Sequence, residues 1–170
     1  TGTTDNSVNF TNVDYYEEGG FRLDFLGGYG YIGDYYSAGN DVIHGHWSDM
    51  TQIKVTKVGG GTFDLNYFVL TSNTLSSDSV SIHASQDGVT SSYSQLLPYE
   101  GWGFPATDVY LGTEFDDIQA FWFETANPTF FCFGMDSFYI DEPAPPSGDA
   151  PEPGTTALLG LGLLGVLGYR

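Results

Sequence analysis

The chain has 170 residues, of which four are Lys or Arg and 22 are Asp or Glu, so its formal net charge is −18. Nucleic acids and anionic lipid surfaces attract clustered basic side chains, and Arg22, Lys54, Lys57 and Arg170 are too few and too scattered for either partner. Apolar residues make up 41% and aromatic residues 16% of the chain, enough for a packed core, so the acidity does not indicate disorder.

Short runs of alternating apolar and polar residues predict an all-β domain over residues 1–142. Alternation with a period of two places successive side chains on opposite faces of a strand. In chain order, the predicted strands are 21–25, 53–55, 63–69, 80–84, 109–111, 118–124, 129–135 and 138–141. Gly59-Gly60-Gly61 predicts a hairpin connection between the second and third strands, and Asp87-Gly88 predicts another turn. About eight short strands at this spacing favour two antiparallel sheets packed as a sandwich or jelly roll.

The composition changes after this domain. Residues 143–153 are rich in proline, which removes backbone donors and fixes φ, so we expect an extended linker. Residues 154–170 are apolar and rich in Leu and Gly, which predicts a single C-terminal membrane helix inserted in the lipid bilayer. On such a helix Gly162, Gly165 and Gly168 share one face, where small side chains let another helix approach closely. Ordinary Leu/Gly composition explains these glycines equally well.

Pro151-Glu152-Pro153, the apolar stretch that follows it and the basic Arg170 together resemble the C-terminal sorting tail of bacterial PEP-CTERM proteins. Residues 61–65 and 133–139 are also similar to the β-sandwich domains that often carry this tail. The resemblance implies export across the inner membrane and an extracytoplasmic chain held at the membrane by its C-terminus. It also implies handling by an exosortase-like protease and, often, association with extracellular polysaccharide. The family's tail usually ends in several Arg residues, whereas this one ends in a single Arg.

Tyrosine and tryptophan residues concentrate in segments rich in Gly and Ser, which we predict to be loops. The pair Tyr15-Tyr16 is assigned to a loop by the same composition. Aromatic side chains in loops supply rigid contact area at little entropic cost, which suits protein interfaces or sugar faces. The candidate partner or glycan contacts are Tyr29, Tyr31, Tyr35, Tyr36, Trp47, Tyr93, Tyr99 and Trp102.

His44 and His46 form the most site-like pair in the sequence. Residues two apart in a strand point to the same face, so both imidazoles could reach one metal ion. The simpler interpretation, which we favour, is two surface histidines beside a tryptophan at the edge of the core. Glu17 and Asp136 are oxygen donors that suit a structural Ca²⁺, although solvated loop carboxylates explain them too. We therefore expect no cofactor, with a structural Ca²⁺ as the alternative.

Motifs of catalysis are missing from the sequence, which has no Gly-x-Ser-x-Gly, no His-Glu-x-x-His and no phosphate-binding glycine loop. The sequence therefore predicts a non-catalytic, membrane-anchored recognition or structural module. The first candidate function is an accessory subunit that docks on and stabilises a larger bacterial membrane protein complex, of respiratory or photosynthetic type. The second is an exported surface protein that binds or is embedded in exopolysaccharide. The third is a glycoside-active enzyme that uses a pair of carboxylates.

Overall fold

A computed structural model describes residues 11–33, 42–45, 49–74, 80–99, 107–126, 130 and 133–147. These residues form twelve β-strands and one 3₁₀ turn, Thr113–Phe115, so the all-β prediction is confirmed. The strands are β1 (Thr11–Val13), β2 (Tyr15–Glu18), β3 (Phe21–Leu26), β4 (Gly30–Gly33), β5 (Val42–Gly45), β6 (Gln52–Lys57), β7 (Leu65–Asn73), β8 (Val80–Ser85), β9 (Tyr93–Leu96), β10 (Thr107–Tyr110), β11 (Ala120–Thr125) and β12 (Phe133–Ile140).

The strands belong to two antiparallel sheets of six strands each. Sheet A has the order β1-β4-β5-β12-β7-β10, and sheet B has the order β2-β3-β6-β11-β8-β9. Strands that follow one another in the chain often belong to different sheets, so the chain crosses repeatedly from one layer to the other. The predicted antiparallel two-sheet sandwich is confirmed, and the jelly-roll connectivity within that class stays a prediction.

Phenylalanine rings from both sheets meet in the core. The ring of Phe123, in β11 of sheet B, is fully buried, and its centroid lies 5.3 Å from that of Phe68 in β7 and 5.2 Å from that of Phe133 in β12. Phe121, also in β11, lies 5.7 Å from Phe138 in β12. These edge-on and tilted pairs are the geometry that aromatic rings prefer. They show that sheets A and B pack face to face.

Most of the predicted strands are present, with different ends. The strands predicted at 21–25, 53–55, 80–84, 109–111 and 118–124 correspond to β3, β6, β8, β10 and β11. Asp87-Gly88 lies in the connection between β8 and β9, which pair antiparallel, so this turn is confirmed. The sequence did not predict β1, β2, β4, β5 or β9, which are short or lack a clear alternation.

The prediction of a hairpin at Gly59-Gly60-Gly61 is wrong. β6 pairs with β3 and β11 in sheet B, whereas β7 pairs with β10 and β12 in sheet A. The three glycines therefore carry the chain from one sheet to the other. All three have positive φ, at 86°, 83° and 103°, a conformation that glycine adopts without the steric penalty of a Cβ.

The predicted alternation over residues 63–69 is interrupted by a bulge at Asn66. In the pairing of β12 with β7, Tyr139 faces Tyr67 but the next residue, Ile140, faces Leu65. One residue of β7 is thus left over between the two pairs, and the alternation changes phase there. As a result Leu65 belongs to the hydrophobic core whereas Tyr67 does not.

The two strands predicted at 129–135 and 138–141 are in fact the single strand β12. A register shift separates the pair formed by Asp136 and Val69 from the pair formed by Tyr139 and Tyr67. The extra residue is Ser137, whose φ of 50° is the left-handed conformation of a bulge.

Hydrogen bonds fix the chain where β12 ends. The backbone N–H of Asp141 donates to the carbonyl of Asp64 at 2.9 Å, and the backbone N–H of Asp64 donates to the Asp141 carboxylate at 2.9 Å. Residues 143–147 contain neither helix nor strand. The rest of the predicted linker and the predicted helix 154–170 lie outside the described residues. Within the described ranges, no helix has the length and apolarity needed to cross a membrane.

Candidate functional site

Three tyrosines lie side by side across the outer face of sheet A, and we call them the tyrosine row. Tyr67 of β7 faces Tyr110 of β10 on one side and Tyr139 of β12 on the other. The ring centroid of Tyr67 is 5.2 Å from that of Tyr110 and 5.1 Å from that of Tyr139. Tyr110 is 40% exposed and Tyr139 is half-buried, so their rings are open to solvent while Tyr67 supports them from the middle.

Two carboxylates lie beside the tyrosine row. In the neighbouring register position, Val69 of β7 faces Asp108 on one side and Asp136 on the other. The Tyr67 hydroxyl donates to Asp108 Oδ1 at 2.7 Å. Burial, followed by this hydrogen bond, raises the pKa of Tyr67, so its hydroxyl stays protonated and keeps donating. The face thus offers aromatic rings for apolar contact and carboxylate oxygens that accept hydrogen bonds.

A cavity of about 400 Å³ opens between the two sheets near the turn that joins β2 to β3. Its walls are mainly apolar and come from both layers. They include Phe21, Leu23, Ile32, Ile43, Val55 and Phe138. β5 pairs with β12 only over Phe133–Met135. The second half of β12 is not paired with β5, and it borders the cavity.

Acidic residues border the cavity on its solvent side. Glu18 and Glu142 are exposed and Asp136 is half-buried, whereas the walls behind them are mostly buried. The Tyr16 hydroxyl donates to Glu18 Oε2 at 2.8 Å, which connects the wall to this rim. Asp136 Oδ1 accepts from the backbone N–H of Ser137 at 2.7 Å. The result is an apolar cavity with a negatively charged opening.

A second polar cluster lies on the outer face of sheet B. The His83 and Trp122 rings are stacked with centroids 5.3 Å apart and planes 6° from parallel. Lys54 Nζ lies 6.0 Å from the centre of the Trp122 ring, and Trp122 Nε1 donates to Glu124 Oε2 at 3.0 Å. Burial lowers the pKa of His83, and the nearby Glu124 carboxylate partly opposes that shift. Since Trp122 is only 6% exposed, its ring does not offer a free stacking surface.

The structure corrects the assignment of several tyrosines to loops. Tyr15 and Tyr16 lie in β2, Tyr31 in β4 and Tyr93 in β9. Tyr29 does precede a strand, and its ring packs edge-on against Tyr31 at 5.5 Å. Tyr99 follows β9 and is 56% exposed, and its contact with a partner stays a prediction. Tyr35, Tyr36, Trp47 and Trp102 lie outside the described residues.

The candidate metal ligands occupy different parts of the fold. His44 lies in β5 and is fully buried, so the interpretation as a surface histidine is wrong for it. Glu17 lies in β2 of sheet B with a carboxylate oxygen 3.4 Å from Arg22, whereas Asp136 lies in β12 of sheet A. His46 lies outside the described residues. In the part of the chain that the structure describes, no group of three or more His, Cys, Asp or Glu side chains is arranged to hold a metal ion.

Sequence reasoning missed the tyrosine row. Tyr67 and Tyr139 stand out in the sequence only as members of strand patterns. The available clue was an aromatic residue on the polar phase of three predicted strands, namely Phe68, Tyr110 and Tyr139, because such a residue needs an explanation. Sequence alone does not show that the three tyrosines are neighbours, since that depends on strand order and register.

The fold and the surfaces described above define an antiparallel β-sandwich with one aromatic face. Residues 149–170, which include Pro151, Glu152 and Pro153, match the PEP-CTERM protein-sorting motif, so the predicted resemblance is confirmed. The chain is therefore an exported protein with a C-terminal sorting signal that directs it to the membrane or cell surface. Comparison with curated proteins and with solved structures found no match.

Proposed function

We propose that the chain is a non-catalytic module on the extracytoplasmic side of a bacterial membrane that binds extracellular polysaccharide through the tyrosine row. The observation that carries this proposal is the row itself. Rings of Tyr110 and Tyr139 are open on a sheet face, next to the carboxylates of Asp108 and Asp136. Export to the membrane or cell surface, indicated by the sorting motif, brings this face to the compartment where polysaccharide occurs.

The chemistry of the face suits sugar rings. The apolar faces of a sugar pack on aromatic rings, and its hydroxyls donate to carboxylates. Adjacent strands in a sheet are about 4.8 Å apart, so three neighbouring strands present side chains over roughly 10 Å. That length matches two successive sugar units better than one. Because the chain has a net charge of −18, we expect a neutral polymer to bind better than an anionic one.

The proposal assigns no catalytic step and no cofactor to this face. The carboxylates of Asp108 and Asp136 are on either side of Val69 on a sheet surface, with Asp108 exposed to solvent. A glycosidase instead needs one carboxylic acid whose pKa is raised by burial in a cleft. Binding through rings and hydroxyls requires no metal ion, so treatment with a chelator should leave the affinity unchanged.

The experiment is affinity electrophoresis of the full-length protein, in a mild detergent, through gels containing dextran or extracellular polysaccharide isolated from the source organism. Tyr110→Ala and Tyr139→Ala should each weaken binding about fivefold, because an aromatic contact contributes on the order of 1 kcal/mol. Tyr99→Ala removes an exposed tyrosine outside the row and serves as the matched control. Equal retardation of all three variants would show that the row is not the binding face.

Docking on a membrane protein complex is the second candidate, and a different surface supports it. β9 ends the strand order of sheet B and carries an exposed Leu96, with Tyr99 just beyond it and Val89 in the preceding loop. Leu96 is 51%, Tyr99 56% and Val89 79% exposed. An exposed strand edge with apolar side chains suits pairing with a strand of another protein. In this second candidate function, the membrane protein complex is of respiratory or photosynthetic type, and Gly162, Gly165 and Gly168 of the tail also contact it.

Cross-linking of native membranes followed by mass spectrometry tests the docking candidate. Cross-links from residues near β9 to one integral membrane protein, lost in Leu96→Lys but kept in Tyr110→Ala, would support it. Cross-links to polysaccharide that are lost in Tyr110→Ala but kept in Leu96→Lys would support the tyrosine row instead.

A further inference from the structure

The cavity between the sheets is a cleft that opens to solvent beside Glu18 and Glu142, not a closed void of the core. The cavity here measures about 400 Å³ and falls within the range of small-molecule sites, roughly 300 to 1,000 Å³. The proposed polysaccharide binding does not use this cavity.

The walls of the cavity favour binding of an apolar group. Leu23 and Val55 come from sheet B, and Ile32 and Ile43 come from sheet A. Each of these four residues is at most 8% exposed. Phe21 and Phe138 add ring surface. Removing apolar surface from water contributes about 25 cal/mol per Å², so a hydrocarbon group gains free energy by entering this space.

The opening of the cavity favours a positively charged group on the ligand. Glu18, Asp136 and Glu142 border the cavity, and among the described residues that line it none is Lys, Arg or His. The basic side chains of the described residues are engaged elsewhere. Arg22 contacts Glu17 and Asp24, Lys54 donates to the carbonyl of Gly88, and Lys57 contacts Asp141.

We infer that this cavity binds a small amphiphilic cation, such as an alkylamine or an alkyl quaternary ammonium compound. The hydrocarbon part lies between the sheets, and the positive head lies among the three carboxylates. A fatty acid of the same length places a carboxylate beside three others in a protein that already carries a net charge of −18, so it is disfavoured. None of the three tyrosines of the row lines this cavity, although Asp136 borders both surfaces.

The test uses three probes with the same hydrocarbon group: hexyltrimethylammonium, hexanol and hexanoate. Each is titrated by calorimetry into the full-length protein in lipid nanodiscs, with empty nanodiscs as the blank. We expect the ammonium compound to bind about tenfold more tightly than hexanoate, with hexanol between them. Added salt should weaken binding of the ammonium compound and leave hexanol unchanged, because ions screen exposed charges over about 10 Å at 0.1 M.

Variants of the rim and of the wall locate the binding. Glu18→Gln and Glu142→Gln should each weaken ammonium binding about two- to fivefold, since exposed charge pairs are worth at most about 1 kcal/mol. Both should leave hexanol binding unchanged. Glu114→Gln neutralises an exposed carboxylate that does not line the cavity and is the matched control. Ile43→Trp fills the cavity and should abolish binding of all three probes, whereas Tyr110→Ala should leave it intact.

Three results would overturn the inference. The first is hexanoate binding as tightly as the ammonium compound, and the second is no detectable binding of any probe by the folded wild-type chain. If Ile43→Trp fails to fold, the two rim variants still decide, because they change surface charge without altering the core. Rim variants that bind the ammonium compound like the Glu114→Gln control would equally refute the site.

Discussion

Truncation of Phe123 to alanine is the most direct test of how the two sheets pack. Its ring is fully buried and lies 5.3 Å from Phe68, 5.2 Å from Phe133 and 5.9 Å from Phe121. Replacing a buried phenylalanine by alanine removes about 3–5 kcal/mol of stability, because transfer free energy is lost and a cavity remains. Single domains are stable by only about 5–15 kcal/mol, so the effect is a large part of the total.

Urea unfolding followed by circular dichroism measures this loss. With an m-value of about 2 kcal/mol per M, the expected decrease moves the midpoint down by about 1.5–2.5 M. Phe123→Leu keeps most of the volume and should lose less than about 1.5 kcal/mol. Tyr99→Ala, at an exposed position, should change stability by less than about 0.5 kcal/mol. If Phe123→Ala and Tyr99→Ala shifted the midpoint equally, the face-to-face packing of the sheets described here would be wrong.

Three further predictions concern single residues. In Gly134→Ala the new Cβ would lie 2.5 Å from Thr71 Oγ1, so we expect a loss of about 1–3 kcal/mol in urea unfolding. Gly112→Ala, whose Cβ meets only the flexible Glu114 carboxylate, should lose clearly less. Burial lowers the pKa of His83, so the unfolded chain takes up its proton first and stability decreases as the pH falls below about 6.5. His83→Gln should flatten that dependence of the urea midpoint on pH, and an unchanged slope would contradict the assignment. Backbone N–H groups of Thr90 and Val89 hold the pKa of Asp87 well below its usual range, so the carboxylate stabilises the β8–β9 connection above about pH 3.9 and this contribution is lost on acidification. Asp87→Ala should therefore speed amide hydrogen exchange in β9 at neutral pH, and exchange at the wild-type rate would contradict this role.

The sequence was sufficient where a strand has one clear buried face. Leu23, Ile53 and Ile82 alternate with polar residues, and their strands were predicted correctly because period-two burial leaves that pattern. Short strands such as β1 and β5 leave too few positions for a pattern. Residue Asn66 shows another limit, since a bulge changes the phase of alternation and is set by pairing with a strand some seventy residues later in the chain.

The candidate sites depend on the same nonlocal information. Tyr67, Tyr110 and Tyr139 become neighbours only because β7 lies between β10 and β12. The cavity likewise needs strands from both layers, so no local window of sequence contains it. The sorting motif, by contrast, is a short contiguous pattern around Pro151-Glu152-Pro153, so the order of the amino acids is enough to recognise it.

The position of β12 links the completion of folding to the sorting motif. β12 is the last strand of the described chain, and it lies between β5 and β7 in the middle of sheet A. Among the described strands, β12 is the one that joins β1, β4 and β5 to β7 and β10 by hydrogen bonds. Only eight residues separate the end of β12 at Ile140 from residue 149, where the matched motif begins. The ribosome therefore synthesises β12, which connects the two parts of sheet A, immediately before it synthesises the sorting motif. A nascent chain released before residue 133 lacks both β12 and the motif.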